Sequence, residues 1–271
     1  MHEVSWLELD GAANARDLAG LPTADGRSVQ PGRLIRSDNL QDLSDRDVRT
    51  LVDALRVRTV ADLRTGVEVD LEGPGPLTEV DDVEIRHLSL FPESGTTTDA
   101  AAADDDGDDG NKPVVLPWQN RDEAERDGRQ GVSGVYLGYL DERADSVVEA
   151  LRLIAYSPGA TIVHCAAGKD RTGTIVALAL SEVGVTRDAV VADYARTAER
   201  IYGIFARLRA SSTYREDLET KHPDAHAPKP ATMERLLDAM DAEFGGVAAW
   251  LRAHGWTEHD AATLRAKLLA P

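Results

Sequence analysis

The residues of this chain that are best suited to chemistry lie in one short stretch, IVHCAAGKDRTGT, at positions 162–174. It contains Cys165, the only cysteine among the 271 residues, and Lys169, Asp170 and Arg171 follow it closely. The thiolate is the reactive form of cysteine, and basic neighbours or a helix N-terminus lower a cysteine pKa into or below the neutral range. A lone cysteine in this setting predicts a nucleophile rather than a small apolar core residue.

The elements around this cysteine predict an anion-binding loop. The apolar run TIVHC, at positions 161–165, follows a Pro-Gly pair and indicates a buried strand, whereas residues 172–183 are apolar almost throughout and indicate a buried helix. The amides of a tight loop and the N-terminus of the helix that follows it carry partial positive charge and bind phosphate. Arg171 adds a planar guanidinium that can hold two phosphate oxygens.

These residue types in this order predict phosphoryl transfer to Cys165. The thiolate would attack phosphorus in line, and water would then hydrolyse the cysteinyl-phosphate. Because Arg171 and the loop amides supply the charge stabilisation, no metal and no cofactor is expected. We expect His164 to act mainly through ring hydrogen bonds that hold the loop. The residues expected to bind substrate are His164, Ala166, Ala167, Gly168, Lys169 and Thr172.

Strands and helices alternate through the middle of the chain and predict an α/β fold. Strands are predicted near 33–36 (after a hairpin that begins near position 14), 58–64, 83–91 and 161–165. Helices are predicted after an N-cap at Ser44, over 134–156, 172–183, near 188–209 and 232–244, and from Thr257, where Asp260 completes a capping box. The expected architecture is a central, mostly parallel sheet with helices on both faces.

The spacing Cys165-x5-Arg171-Thr172 resembles the signature of the cysteine-based protein tyrosine phosphatase superfamily, with His164 and Gly168 also in place. The whole HCAAGKDRTG is similar to that of bacterial atypical tyrosine/lipid phosphatases, as are NARDLAGL, PGRLIRSDNL, VADLRT and EFGGVAAWLRAHG. The resemblance spans about residues 14–269. It implies a protein tyrosine phosphatase-like fold and phosphotyrosine hydrolysis. Phosphoserine, phosphothreonine and phosphoinositides are further candidate substrates, with Lys169 as a contact for a second phosphate.

The leaving group needs a proton, and a positioned acid is worth roughly 10²–10⁴ in rate. The resemblance gives Asp170 a catalytic part, and the alternative is that its carboxylate orients Lys169 or Arg171. Glu93, after LFP at a strand end, is the second candidate for the acid, at a place where the family resemblance implies Asp. Asp122 is a more remote candidate. The identity of the acid stays open at this level.

Several charged residues near the ends of the predicted strands have two interpretations. Arg36 and Arg64 each end a strand, and they either form ion pairs that hold loops together or add positive potential at the mouth of the substrate site. Asp62 is expected to pair with Arg64 or with the loop around the cysteine. Tyr194 and Arg196 are expected to serve packing and the surface.

Composition narrows the class of partner. The net charge of −18 argues against nucleic acid, which proteins bind by neutralising phosphates with Lys and Arg. A local basic pocket remains compatible with this negative net charge, because charges beyond about 8 Å are largely screened at physiological salt. The expected partners are phosphotyrosine proteins or peptides, with phosphoinositides as the further candidate. The number of subunits is left open.

The remaining features predict one domain over residues 1–271. Residues 100–112 hold five aspartates and no large apolar side chain, so a flexible acidic loop is expected at about 99–112. The N-terminus lacks a basic-then-apolar leader, and no apolar run reaches about 20 residues, so neither a signal peptide nor an integral membrane segment is expected. The expected location is cytoplasmic, with signal-independent export left open.

Three other classes of protein compete with a phosphatase. A rhodanese-type sulfurtransferase has fewer residues between its cysteine and the closing basic residue. A nucleotide-binding P-loop requires glycine at position 163 and Ser or Thr at position 170, where this chain has Val163 and Asp170. A non-catalytic module that binds phosphorylated ligands is the main alternative, although such modules commonly lose the cysteine or the arginine that this chain keeps.

Overall fold

A six-stranded sheet lies at the centre of the computed structural model, which describes residues 5–92 and 132–270. The sheet order is β1-β2-β3-β6-β4-β5, with β3, β6, β4 and β5 parallel and the pairs β1–β2 and β2–β3 antiparallel. This arrangement confirms the mostly parallel α/β sheet. The strands are β1 Ser5–Trp6, β2 Arg16–Asp17, β3 Leu34–Ser37, β4 Val57–Asp62, β5 Glu84–His87 and β6 Ala160–His164.

Helices connect the strands and form most of the C-terminal half. A π-helical segment, Thr50–Ala54, continues α1, and short 3₁₀ helices occur at Pro76–Glu79, Thr197–Arg200 and Pro223–His226. The α-helices are α1 Asp45–Arg49, α2 Gly66–Glu72, α3 Val132–Glu142, α4 Ala144–Tyr156, α5 Asp170–Glu182, α6 Arg187–Arg196, α7 Ile201–Ala210, α8 Arg215–Leu218, α9 Pro230–Phe244, α10 Val247–Ala253 and α11 Glu258–Leu268. None of the described helices is long and apolar enough to cross a bilayer.

The two faces of the sheet contribute to separate apolar clusters, because successive strand residues point to opposite sides. Ile35 and Ile162 belong to one cluster, which also contains Leu51 of the π-helical segment. Leu34 and Val163 belong to the other, which contains the buried faces of α4 and α5. Strand β6 is buried along its whole length, and three of its five residues, Ala160, Ile162 and Val163, are apolar.

The register of the sheet brings three strand ends together. Ser37 at the end of β3 and Asp62 at the end of β4 both lie opposite His164, the last residue of β6. Cys165 follows β6 directly, so the loop that it begins lies at the carboxyl edge of the sheet. Ligand sites of open α/β sheets form at this edge.

Two of the predicted helices are interrupted, contrary to the sequence prediction. The apolar periodicity over 134–156 continues through a break at Arg143, whose φ of −133° and ψ of 44° are not helical. Its guanidinium donates to the Phe91 carbonyl at 3.0 Å and to Ser146 Oγ at 2.6 Å, and these contacts hold the break. The helix predicted near 188–209 is likewise divided by the 3₁₀ helix at Thr197–Arg200.

Local end signals are confirmed where they were predicted. Ser44 with Asp47 and Thr257 with Asp260 form complete capping boxes at the starts of α1 and α11. Gly245, with φ of 74°, ends α9 in the left-handed conformation. The strand predicted over 83–91 is shorter, since only Glu84–His87 pair with β4. The predicted acidic loop at about 99–112 lies outside the described residues.

Candidate active site

Side chains from outside the loop of Cys165 to Asp170 donate hydrogen bonds to two of its backbone carbonyl groups. Asn14 Nδ2 donates to the carbonyls of Ala167 and Gly168 at 3.1 Å each, and Arg36 Nη2 donates to Gly168 O at 2.8 Å. The C=O and N–H of a trans peptide point in opposite directions. The N–H groups that follow these carbonyls therefore face the inner side of the loop, as an anion requires.

Gly168 is the residue that lets this loop close. Its φ is +63°, and a Cβ there would lie 2.4 Å from the backbone oxygen of Ser37. Only glycine combines the left-handed backbone with this approach to β3. The loop ends where α5 begins at Asp170, so the helix N-terminus adds its partial positive charge at this place.

Cys165 is buried, with 2% of its surface exposed, and lines a cavity of about 210 Å³. Helix α7 forms an apolar wall of this cavity, while Lys169 and Lys221 contribute cations to its lining. The lining residues are Phe91, Tyr139, Cys165, Ala166, Ala167, Lys169, Asp170, Arg171, Ile201, Ile204, Phe205, Leu208, Tyr214, Asp217, Leu218, Lys221 and His226.

Arg171 faces the same cavity and is held by Glu68. Its Nη1 lies 2.5 Å from Glu68 Oε2, its Nη2 lies 2.9 Å from Glu68 Oε1, and Nη1 also donates to the Leu63 carbonyl at 3.2 Å. Burial opposes the charged form of Arg171, but Glu68 outweighs it and raises the arginine pKa well above its usual value. The fork is thus fixed in orientation and permanently cationic.

Glu68 was missed by the sequence analysis, although one signal pointed to its orientation. Thr65 caps α2, and Glu68 Oε2 accepts from the Thr65 amide at 2.8 Å, which makes a capping box. Tyr214 donates to Glu68 Oε1 at 3.1 Å. Burial alone would raise the pKa of Glu68, but Arg171 and these donors lower it. The Thr-x-x-Glu spacing predicts the capping box; the pairing with Arg171, far along the chain, has no local signal.

Asp170 and Lys169 occupy the cavity side of the first turn of α5. Lys169 Nζ lies 3.4 Å from Asp170 Oδ2 and donates to the His226 carbonyl at 3.0 Å. Tyr136 of α3 donates to Asp170 Oδ1, and its hydroxyl lies 2.8 Å from that of Tyr194. The sequence contains no signal for Tyr136 in this role, and for Tyr194 it predicted packing and the surface, with substrate contact as the lesser alternative.

Arg36 lies beneath the loop, fully buried, and does not line the cavity. Its Nη1 lies 2.6 Å from Asp193 Oδ2, and Arg16 Nε lies 2.8 Å from the other oxygen of the same carboxylate. Arg16 also donates to Asn14 Oδ1 at 2.8 Å, which orients the Asn14 amide toward the loop. Arg36 is therefore an ion-paired residue that holds the loop, the first of its two interpretations.

His164 points away from the cavity, since it precedes Cys165 by one residue and neighbouring strand side chains alternate. It lines a second cavity together with Asp62 and Arg64. Arg64 Nη2 is 2.5 Å from Asp62 Oδ2, and His164 Nε2 is 3.6 Å from Asp62 Oδ1. Burial lowers the pKa of His164 to about 4, against the pull of Asp62, so its ring is neutral at pH 7. The position of His164 argues for a supporting role and against direct contact with substrate.

The remaining predicted residues are divided between the cavity and its surroundings. Ala166 and Ala167 line the cavity. Thr172 is buried behind it, and its Oγ1 has no hydrogen-bond partner in the part of the chain that the structure describes. Glu93 and Asp122 lie outside the described residues, so neither enters this account of the site.

The α/β sheet has at its carboxyl edge a buried cysteine, a loop with inward amides and an arginine held by a carboxylate, an arrangement typical of cysteine-based phosphatases. The model of the tyrosine phosphatase family matches residues 7–270, and the chain belongs to this family. It is a protein-tyrosine phosphatase, as the sequence resemblance implied.

Two relatives show how far the similarity extends. The triple specificity protein phosphatase PtpB of Mycobacterium tuberculosis is 31% identical over 290 aligned residues, which cover 97% of this chain and 98% of that protein. A tyrosine-protein phosphatase of Nostoc commune is 25% identical over 252 residues, covering 91% of this chain and 78% of the relative.

Proposed function

We propose that this phosphatase hydrolyses phosphomonoesters through a phosphocysteine at Cys165. The thiolate attacks phosphorus, the P–O bond to the leaving group breaks, and water then cleaves the S–P bond to release phosphate. Arg171 and the loop amides bind the three non-bridging oxygens of the phosphoryl group and stabilise their negative charge in the transition state. The supporting observation is that Cys165 and Arg171 line one cavity, with the arginine fork fixed by Glu68.

Asp170 is the group that we assign to the proton transfers. It lines the cavity with Cys165 and starts the helix whose first turn contains Arg171. As an acid it would protonate the departing oxygen, and as a carboxylate it would then take the proton of the attacking water. A Lys169-orienting role, the other interpretation of Asp170, rests on the 3.4 Å contact between their side chains.

The cavity also supports a wide range of substrates. The apolar wall of Ile201, Ile204 and Phe205 fits the ring of phosphotyrosine and equally the apolar part of a lipid. Lys169 and Lys221 offer cations for a second phosphate. The name of the mycobacterial relative includes triple specificity. We extend this to phosphotyrosine, phosphoserine/threonine and phosphoinositide substrates here, acted on by one phosphatase domain that spans residues 1–271.

The test measures phosphate release by wild type, Cys165→Ser and Asp170→Asn on a phosphotyrosine peptide, a phosphoserine peptide and soluble mono- and bis-phosphorylated phosphoinositides. We expect no turnover by Cys165→Ser on any substrate and a loss of roughly 10²–10⁴ in kcat for Asp170→Asn on the peptides. A matched Ser181→Ala variant, altered at the far end of α5, should retain wild-type rates.

Each outcome of this test has a defined meaning. Activity of the wild type that Cys165→Ser retains would contradict the cysteine mechanism. Wild type that binds phosphopeptides without turning them over would favour the non-catalytic binding module. Activity confined to phosphotyrosine would overturn the broader substrate range while leaving the mechanism intact.

A further inference from the structure

Tyr136 holds the carboxyl group of Asp170 from the side opposite Lys169. Its hydroxyl donates to Oδ1, whereas Lys169 Nζ lies 3.4 Å from Oδ2. Tyr136 is completely buried and belongs to α3. We propose, on the basis of the proposed function, that Tyr136 is a positioning residue that orients Asp170 so that Oδ2 carries the transferred proton.

The direction of the hydrogen bonds between Tyr194, Tyr136 and Asp170 follows from the number of hydroxyl protons that the two phenols can donate. A phenol has one O–H to donate. Because Tyr136 uses its proton for Asp170, the 2.8 Å contact between the two phenols requires Tyr194 to donate to Tyr136. The chain therefore runs from Tyr194 through Tyr136 to Asp170. Burial, followed by the negative charge of Asp170, raises the pKa of Tyr136 well above its usual value, so this donor remains protonated.

The bond from Tyr136 persists in both protonation states of Asp170. When Oδ2 carries the proton, Oδ1 is a carbonyl oxygen and accepts from Tyr136. After Oδ2 has given its proton to the leaving oxygen, the carboxylate accepts the same bond more strongly, because charge-assisted hydrogen bonds are the stronger kind. An interaction that strengthens as the proton departs lowers the barrier rather than merely binding substrate.

Packing at the start of α5 keeps this chain in place. Gly173 faces Tyr194, and a Cβ at that position would lie 2.9 Å from the Tyr194 ring. Tyr136 and Tyr194 also meet ring to ring, with centroids 6.3 Å apart at 76°. Both phenols are buried, so water does not compete for the bonds. The geometry thus holds the Asp170 carboxyl group in one orientation.

The experiment compares aryl phosphates whose leaving phenols have low and high pKa, such as 4-nitrophenyl and phenyl phosphate. A good leaving group needs little help from an acid, whereas a poor one needs it most. We expect Tyr136→Phe to lower kcat on phenyl phosphate roughly tenfold, the size of one hydrogen bond to a charged group, and to change kcat on 4-nitrophenyl phosphate less than about twofold. Asp170→Asn should show the same trend more strongly.

Tyr156→Phe is the matched control. In the wild type, the exposed Tyr156 at the end of α4 donates its hydroxyl to Asp260 Oδ1 at 2.8 Å. The variant therefore loses the same kind of hydrogen bond, but outside the cavity. It should leave both substrates at wild-type rates. Tyr194→Phe should show the Tyr136→Phe trend at a smaller size, and it carries the test if Tyr136→Phe does not fold.

The results separate this inference from the acid assignment. A Tyr136→Phe enzyme that loses activity equally on both aryl phosphates has only a structural defect, and this result overturns the positioning role. If Asp170→Asn shows the leaving-group trend and both tyrosine variants do not, Asp170 is the acid and acts without Tyr136. If Asp170→Asn shows no trend, the proposed acid is wrong, and the role of Tyr136 is overturned with it.

Discussion

Two buried arginine–carboxylate clusters lie next to the loop that begins at Cys165, and they differ in what they can reach. Arg171 pairs with Glu68 one to one and lines the cavity. Arg16 and Arg36 share the single carboxylate of Asp193 and are both fully buried. The first cluster is neutral in sum, whereas the second has one more positive than negative charge.

The difference shows that burial of a charge does not by itself indicate catalysis. The guanidinium of Arg171 is fixed at the wall of an open cavity, where a phosphate can meet it. The guanidinium of Arg36 is closed in by Asp193 and by the Gly168 carbonyl, to which it donates at 2.8 Å. We interpret the first cluster as the phosphate-binding one and the second as the support that keeps the loop amides turned inward.

The largest expected effect is on stability, from breaking the supporting cluster. Arg36→Met leaves Asp193 with one partner and the Gly168 carbonyl without this donor. The substitution removes two hydrogen bonds that the charged Arg36 guanidinium makes, to Asp193 and to the Gly168 carbonyl. Hydrogen bonds of charged groups contribute about 1.5–3 kcal/mol each, so we expect the free energy of unfolding to fall by about 3 kcal/mol or more. Urea unfolding followed by circular dichroism measures it.

The control for this variant is Arg152→Met, which removes the 3.4 Å pair between Arg152, over one third exposed, and Asp260. Pairs of this kind contribute about 0–1 kcal/mol. Equal losses of stability in the two variants would contradict the interpretation of the Arg36 cluster as the support of the loop.

The next effect is on catalysis, from altering the cavity cluster. Arg171→Lys keeps the positive charge but loses the fork that matches Glu68 and the phosphate. Loss of a preorganised donor to the transition state costs about 10²–10³ in kcat, and stability should fall less than in Arg36→Met. Steady-state kinetics on a phosphotyrosine peptide measures kcat, and urea unfolding measures the free energy of unfolding.

Arg187→Lys is the matched control for that substitution, since Arg187 is half-buried and pairs with Asp238 and Asp241 outside the cavity lining. Its kcat should equal that of the wild type. An Arg171→Lys enzyme with nearly normal kcat would remove the functional difference between the two clusters.

The smallest effect at neutral pH concerns His164, the last residue of strand β6, which lines the second cavity together with Asp62 and Arg64. Its folded-state pKa of about 4 lies below the unfolded value of about 6.5, so the unfolded chain binds the proton first. Stability is therefore unaffected by this group above about pH 6.5 and falls as the pH decreases toward 4, by about 3 kcal/mol in total. Urea unfolding between pH 4 and 7 measures the decrease.

His164→Gln separates this group from the carboxylates that also titrate in acid. The variant lacks the imidazole, so the wild-type curve minus the variant curve should show the loss over that window. A difference that stays constant with pH would mean that folding does not lower the pKa of His164.

The contiguous part of the site could be predicted from the amino-acid pattern alone. Strand β6, the loop with Gly168 and helix α5 follow one another without interruption, so apolar runs, turn signals and the spacing of Cys165 and Arg171 were enough to predict them. The same holds for capping boxes, whose partners are three residues apart. Such local features depend only on residues that are close in the sequence, so the sequence pattern is sufficient to predict them.

The distant groups that complete the site became evident from the folded chain and not from the amino-acid pattern. Glu68 and Arg171 are 103 positions apart, Arg36 and Asp193 are 157 apart, and Tyr136 and Asp170 are 34 apart. Periodicity ranks a residue as buried or exposed but does not match one buried charge to another across the chain. The parallel register of β3, β6 and β4 makes that match, because it brings the carboxyl ends of three strands to one edge.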